Sequence, residues 1–403
     1  MSTSTRGQYE ALLVDLHREM RAERGEGERA EALRREMDAL WYGLSDEEQA
    51  IFDELSEDLY ALEEKRRVVP LAEGETMKLL HGQIQSTLKS REHRRALACM
   101  RKLPSLDAPI YYAMARCWED LGFLHATVCF YDFANELEPR SSYEILALMA
   151  LVRADALDEA VARARAITER PDVSVNLRLE ATAVLYRAAG RMVGAESRSM
   201  YEDVTRLVEE AWDDPTALAP VRAMALVIAG FSYEHLGYQE RALQSFDRAV
   251  AAHRSDGPLL ARGLHLLRID RARALRDFTW AAQLRTMQDW PYIYAAHHAI
   301  EAGRFAEVEQ LCEAGLSVAR RPALRGRLLE WWAIAAAHLG RSPGEVTRLF
   351  EQAMDELPLD PVVRRNSRLY QASIEAERAV QASAWEMPED IVDEAEARAT
   401  VAA

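Results

Sequence analysis

The stretch FSYEHLGYQERALQSFDRAV (231–250) sets Tyr233, Gly237, Ala242, Phe246 and Ala249 at separations of four, five, four and three. The series returns as Ala115, Trp118, Gly122, Thr127, Tyr131, Ala134 and Pro139 within 111–139. Shorter versions hold Ala183, Tyr186, Gly190 and Ala195, then Ala296, Ala299, Gly303, Phe305 and Gly315. A last one holds Ala333, Gly340, Val346, Phe350, Ala353 and Pro358. Spacings of three and four put such residues on one helix face. Each block therefore reads as a helix, a glycine-bearing turn, a second helix and often a proline. Small residues suit a close helix crossing, because ridges interlock only where one side chain is short. Aromatics fill the space beside the crossing, and glycine ends the first helix in a left-handed turn. Gly303 and Gly340 lie 37 residues apart, and Gly122 and Gly237 lie 115 apart, about three repeats.

Ahead of these blocks, residues 8–66 read as two or three charged amphipathic helices forming an N-terminal hairpin, after an unstructured 1–7. GEG (25–27) breaks one helix, and SDEE (45–48) is a capping box that starts another. Ile51, Phe52, Leu55, Leu59 and Leu62 then line one apolar face. RRVVPLAEGE (66–75) reads as a stiffer connector, which makes 67–75 a linker.

The chain has 403 residues, 49% apolar and 29% charged, enough core-forming side chains for an ordered protein. No uncharged run exceeds eleven residues, well short of a membrane span. MSTSTRGQYE lacks an apolar signal core, and Cys99, Cys117, Cys129 and Cys312 show no metal or redox spacing, so a reduced, cytoplasmic setting is expected. The net charge of −16 is uneven: −8 falls in 1–67 and −5 in 385–403, leaving the body nearly neutral. That balance argues against a general nucleic-acid binder. Six arginines between Arg254 and Arg276, then Arg320, Arg321, Arg325 and Arg327, make the C-terminal half locally basic. They read as solvated faces and helix ends, or as a site for an acidic partner, even the chain's own acidic tail.

The recurrence resembles degenerate, bacterial-type tetratricopeptide repeats, helix–turn–helix units of about 34 residues. It covers 76–360 in about eight pairs: 77–104, 109–140, 142–171, 176–212, 222–254, 258–289, 291–321 and 326–358. The third pair lacks the turn glycine, the fourth has an overlong second helix, and the sixth has a short one, DFTWAAQLRTMQD. The expected fold is all-α, a right-handed α-solenoid with a C-terminal capping helix over 361–384 and an acidic, unstructured tail over 385–403. The resemblance implies a protein or peptide partner on the inner, first-helix face. Carried over by register, that face holds Tyr112, Arg116 and Glu119; Glu180 and Arg187; Phe231, Glu234 and His235; Arg273; Tyr294 and His297; and Arg327, Glu330 and Trp331. These residues do not reproduce the lysine–asparagine clamp of chaperone-binding relatives.

No GxxxxGK[ST], GxGxxG, HExxH or GxSxG occurs, so no catalytic residue, metal or cofactor is expected. His297 and His298 are adjacent and point about 100° apart on a helix. Trp331 and Trp332 likewise divide between core and groove. The leading expectation is a non-enzymatic scaffold, adaptor or regulatory subunit. A sensor taking a small molecule or signalling peptide in the groove is the alternative. A further alternative makes the acidic N-terminal hairpin, with Trp41, Tyr42 and Phe52, the docking element.

Overall fold

The computed structural model describes residues 4–63, 75–103 and 106–376. Among the described residues there are twenty helices and no strand. The fold is an all-α, tetratricopeptide-like row of helix pairs in two compact units, Met1–Ser197 and Arg198–Ala403. Residues 64–74, which hold the end of the expected hairpin and all but Glu75 of the expected linker, the end of the expected capping helix (377–384) and the tail lie outside the described residues.

The N-terminal unit begins with α1 (Thr5–Arg21), α2 (Glu28–Trp41) and α3 (Asp46–Glu63). Helix α1 starts inside the stretch expected to be unstructured, because the Ser4 hydroxyl accepts from the Gly7 amide and caps it. Three pairs follow: α4 (Glu75–Lys89) with α5 (His93–Met100), α6 (Ala108–Asp120) with α7 (Leu124–Leu137), and α8 (Ser141–Arg153) with α9 (Leu157–Glu169). Then come α10 (Val175–Ala189) and α11 (Gly194–Ala211), the latter starting at the end of this unit. The C-terminal unit continues with α12 (Ala219–His235) and α13 (Gln239–Ala252), then α14 (Asp256–Leu266) and α15 (Arg271–Gln283). It ends with α16 (Trp290–Glu301) and α17 (Phe305–Val318), α18 (Pro322–His338) and α19 (Pro343–Glu356), and α20 (Pro361–Ala376).

Turn and crossing residues hold these pairs in shape. Gly122, Gly237, Gly303 and Gly340 all have positive φ, +68 to +85°, between the first and second helices of their pairs. Two readings of the turns change. Gly190 ends α10 at φ −66°, and the left-handed residue of that turn is Gly194 at +69°. In the third pair Asp155 takes the position, at φ 63°; aspartate is among the few side chains that enter this region readily. The short helix of the sixth pair is the first one, α14, with 11 residues against 13 in α15. Helix crossings use glycine as well. A Cβ on Gly230 would sit 2.5 Å from the Phe246 ring, and one on Gly263 would sit 2.4 Å from Phe278. Phe246 and Phe278 are both fully buried.

Of the three N-terminal helices, α1 and α3 pack directly on the pairs, and α2 packs on α1. Helix α1 runs along α7, where the Ala126 amide donates to the buried Glu10 carboxylate at 3.0 Å. Arg6 donates to the Leu121 carbonyl at 2.6 Å, and Arg18 reaches Glu159 of α9 at 3.0 Å. The expected capping box of α3 is present, with the Ser45 amide donating to Glu48 at 2.9 Å and the Glu48 amide to Ser45 at 3.3 Å. The apolar face of α3 carries Phe52 edge-on against Phe123, centroids 5.3 Å apart. Asp58, 2% exposed, accepts from Arg101 at 2.6 and 2.8 Å and from the Trp118 indole at 3.1 Å. The helices thus cover the second-helix face of α5, α7 and α9.

Candidate partner-binding site

In the N-terminal unit, first helices α6 and α8 bring together a cluster of aromatic and charged side chains. Half-buried Tyr112 lies 5.9 Å from Tyr131 and 5.6 Å from Tyr143, ring to ring. Glu119 beside them accepts from Arg116 at 2.6 Å and from the Tyr131 hydroxyl at 3.0 Å, and it pairs with Arg153 of α8. Arg116 and Arg153 stay exposed. The sequence reading names Tyr112, Arg116 and Glu119 and misses Tyr143, Tyr131 and Arg153. Tyr131 falls on a second helix, and Arg153 sits at the end of α8, in the pair without a turn glycine. Glu180 and Arg187 follow on α10, the first half-buried and the second exposed. Burial raises the Glu180 pKa above the usual carboxylate value.

The C-terminal unit treats the corresponding residues differently. Phe231 is half-buried, edge-on to Phe246 at 5.1 Å. His235 is exposed and stacks on Tyr201 with centroids 4.5 Å apart. Burial still lowers the His235 pKa, which keeps its imidazole neutral near pH 7. Glu234 pairs with buried His265 of α14. Beyond α14 the expected groove residues are core. Tyr294 is 1% exposed and packs between Phe278 and Trp290, with ring centroids at 5.0 and 6.0 Å. Trp331 and His297 are also buried, 5.5 Å apart, and half-buried Trp332 packs on the same core. Arg327 and Glu330 form a buried ion pair, extended at 2.7 Å to Asp360 and at 2.6 Å from Asn366 to Glu330. Tyr294, His297, Arg327, Glu330 and Trp331 are all buried and present no surface to a partner. The inner-face register carried from the family fails here because α16 and α18 are apolar on nearly every side, and α18 has Ala333, Ile334, Ala335 and Ala336 all buried. Arg273 sits in the first turn of α15, a second helix, paired with Asp247. The short α14 moves the register, so the first-helix arginine is Arg262, forked onto Asp277 at 2.8 and 2.7 Å and paired with Asp247 at 2.9 Å.

The locally basic stretch is therefore largely neutralised in place. Arg321 lies 3.4 Å from Asp289 and Arg325 2.7 Å from Glu356. A different feature opens on the second-helix side of this unit, a cleft of about 500 Å³ between α15 and α17. Arg276, Trp280 and Gln283 of α15 form one wall; His298, Arg304 and Glu307 form the other. Burial and the nearby Arg304 charge lower the His298 pKa. The sequence signal for this cleft is an aromatic, Trp280, in a helix whose other aromatic side chain, Phe278, is in the core.

The chain's reactive groups are placed for packing. All four cysteines are free, and burial raises the Cys117 and Cys129 thiols to about 12. Among the described residues no three His, Cys, Asp or Glu side chains come together as a metal site, and no helix is long and apolar enough to cross a membrane.

No protein-family model and no curated protein matches the chain. Solved tetratricopeptide structures are similar to it at low identity. Yeast Tom70 aligns at 13% identity over 74% of this chain and 72% of its own, with a TM-score of 0.29. The P58(IPK) TPR domain aligns at 15% over 80% and 97%, with a TM-score of 0.23. YrrB, described as a TPR protein with an unusual peptide-binding site, aligns at 12% over 71% and 98%, with a TM-score of 0.22. The helix-pair assignment stands on this chain's own turns and crossings.

Proposed function

We propose that the chain is a non-enzymatic interaction module, a scaffold, adaptor or regulatory subunit, that holds a protein or peptide partner on the first-helix face of its N-terminal unit. The observation behind this reading is the cluster of Tyr112, Tyr143, Arg116 and Arg153 around Glu119. Tyrosine and arginine dominate interface energies because they bury large areas and offer polar ends. Tyr112 is half-exposed and Arg116 and Arg153 are exposed on neighbouring first helices, Tyr143 is buried against Tyr112, and both arginines already pair with Glu119. A mixed surface of this kind suits a partner with several anchor types. Four free cysteines, three of them buried, support a reducing, cytoplasmic setting.

Affinity capture with the intact chain, read by mass spectrometry, tests the reading against the double variant Tyr112→Ala with Arg153→Glu. Both positions are at least partly exposed, so helicity should be unchanged. The recovered partner should fall by about tenfold or more, the loss expected for interface hot spots. Undiminished capture would remove this face from consideration. Stabilisation of the purified chain by a small metabolite, with no protein partner present, would favour the sensor alternative.

A further inference from the structure

We infer that Arg116 and Arg153 together take a carboxylate side chain from within an extended partner peptide, and that a large apolar residue three positions along packs on Leu146 and Met149. The inference rests on the first-helix face of the N-terminal unit being the binding face. Two guanidinia share one carboxylate there: Arg116 holds one Glu119 oxygen at 2.6 Å, and Arg153 holds the other. The Tyr131 hydroxyl donates to the same carboxylate at 3.0 Å and helps to fix it. Glu119 can neutralise only one of its two cations. Its side chain is 10% exposed, against 44% for Arg116 and 49% for Arg153. A guanidinium carries five N–H donors in a rigid fork, so each arginine keeps donors beyond those that Glu119 takes.

The other carboxylates of α6, α8 and α10 do not cancel this excess. Asp120 faces His93 of α5 at 3.6 Å, and Glu144 pairs with Arg170 of α9 at 3.2 Å. Glu180 is half-buried, and burial disfavours its charged form. Arg187 of α10 is exposed with no carboxylate beside it among the described residues. The charge left for a partner is therefore positive. An apolar strip runs from it along α8. Met149 and Leu146 lie four and seven residues before Arg153, on the same helix face, and both are half-buried. Tyr143, one turn further back and packed on Tyr112, closes the strip. Seven residues of helix rise about 10 Å, the span of about three residues of extended chain. An occupant that matches both ends carries an acid and a large apolar side chain at that spacing.

Affinity selection by the intact chain from a soluble peptide library tests the assignment. The peptides are about twelve residues long, acetylated and amidated so that no chain-end charge takes part. Mass spectrometry should find the retained peptides enriched in Asp or Glu three positions from Leu, Ile, Met or Phe. Fluorescence anisotropy with one such peptide should show binding weakened about tenfold by Arg153→Gln and by Arg116→Gln, the factor expected for a hydrogen bond to a charged group. Helicity should be unchanged in both. Arg153→Lys should retain more of the binding, and about 0.5 M salt should weaken it in the unaltered chain. A selection that retains no peptide with an acid at that spacing would overturn the proposal, as would binding indifferent to both glutamine variants. If the retained peptides still lose affinity for the Tyr112→Ala, Arg153→Glu double variant, the first-helix face stands and only the acid anchor falls. If they do not, the partner-binding reading of that face falls with it.

Discussion

The two compact units use one repeat in opposite ways. In the N-terminal unit the second-helix face is covered by α1 and α3, and the first-helix face keeps a half-exposed tyrosine, Tyr112, and two exposed arginines, Arg116 and Arg153. In the C-terminal unit the second-helix face is bare around Trp280, and the first helices α16 and α18 bury their aromatics and even an arginine. The repeat thus specifies helix pairing, while the side chains beyond the crossing decide which face is core. A partner-binding face cannot be carried from one pair to another by register alone.

The sharpest way to break this contrast is to remove an arginine from each unit. Arg327→Ala leaves Glu330, which has no exposed surface, without its cation. Such a loss costs about 3–5 kcal/mol. Arg153→Ala removes an exposed partner of Glu119, which keeps Arg116 and Tyr131. An exposed pair contributes only about 0–1 kcal/mol. Urea unfolding of the two variants should separate them by several-fold in stability loss. Equal losses would mean that the buried pair is no more than a surface one.

Docking of α1 on α7 is the next largest effect and is sensitive to pH. Burial raises the Glu10 pKa from 4.5 to about 7, against the Ala126 and His125 amides and Arg6, which pull it down. The docked state therefore holds a proton that the undocked chain releases. Its contribution is complete below pH 4.5 and is lost as pH rises through 7, by about 3 kcal/mol at most. His17 acts in the opposite sense. Burial, helped by Arg21 and Arg18, lowers its pKa from 6.5 to about 4, so its contribution is present above pH 6.5 and lost as pH falls toward 4. Hydrogen exchange of α1 amides should be slowest between about pH 5 and 6.5 after correction for intrinsic rates. Glu10→Gln should remove the loss of protection above pH 7; an unchanged profile would exclude Glu10 as its source.

Much of this fold was legible from spacing. Gly122, Gly237, Gly303 and Gly340 mark turns because few residues other than glycine accept a left-handed conformation cheaply, and Ala242, Phe246 and Ala249 mark a crossing because helices approach closely there. The capping box at Ser45 and Glu48 was equally plain. The site was far less legible. Tyr112, Arg116 and Glu119 could be placed from register, but Arg153 and Tyr143 join them only through the packing of α8 on α6. Tyr294 and Trp331 occupy register positions like that of Tyr112 and end in the core, since an aromatic residue reads the same in either place. Glu10 and Asp58 looked like two of many acids in a charged segment. Their burial depends on partners 116 and 43 residues away.

The smallest predicted effect concerns the turns, where most pairs place a glycine at positive φ and the third pair an aspartate. Gly237, in the C-terminal unit, has φ +85° with nothing within 4 Å of the position a Cβ would take. Gly237→Val is thus opposed by backbone conformation alone, and a β-branched residue in this region should cost about 1–2 kcal/mol. Asp155, in the N-terminal unit, holds the equivalent conformation at φ 63° and accepts from Arg191 at 2.8 Å. Asp155→Gly relieves the backbone strain but loses this exposed pair and gives the unfolded chain more freedom. These terms are each below about 1 kcal/mol and of opposite sign, so the net change should lie within about 0.5 kcal/mol of zero. Chemical denaturation of the two single variants measures both. If Gly237→Val also falls within that range, the positive-φ turn is not what holds α12 and α13 together. The Gly230–Phe246 crossing would then have to do so.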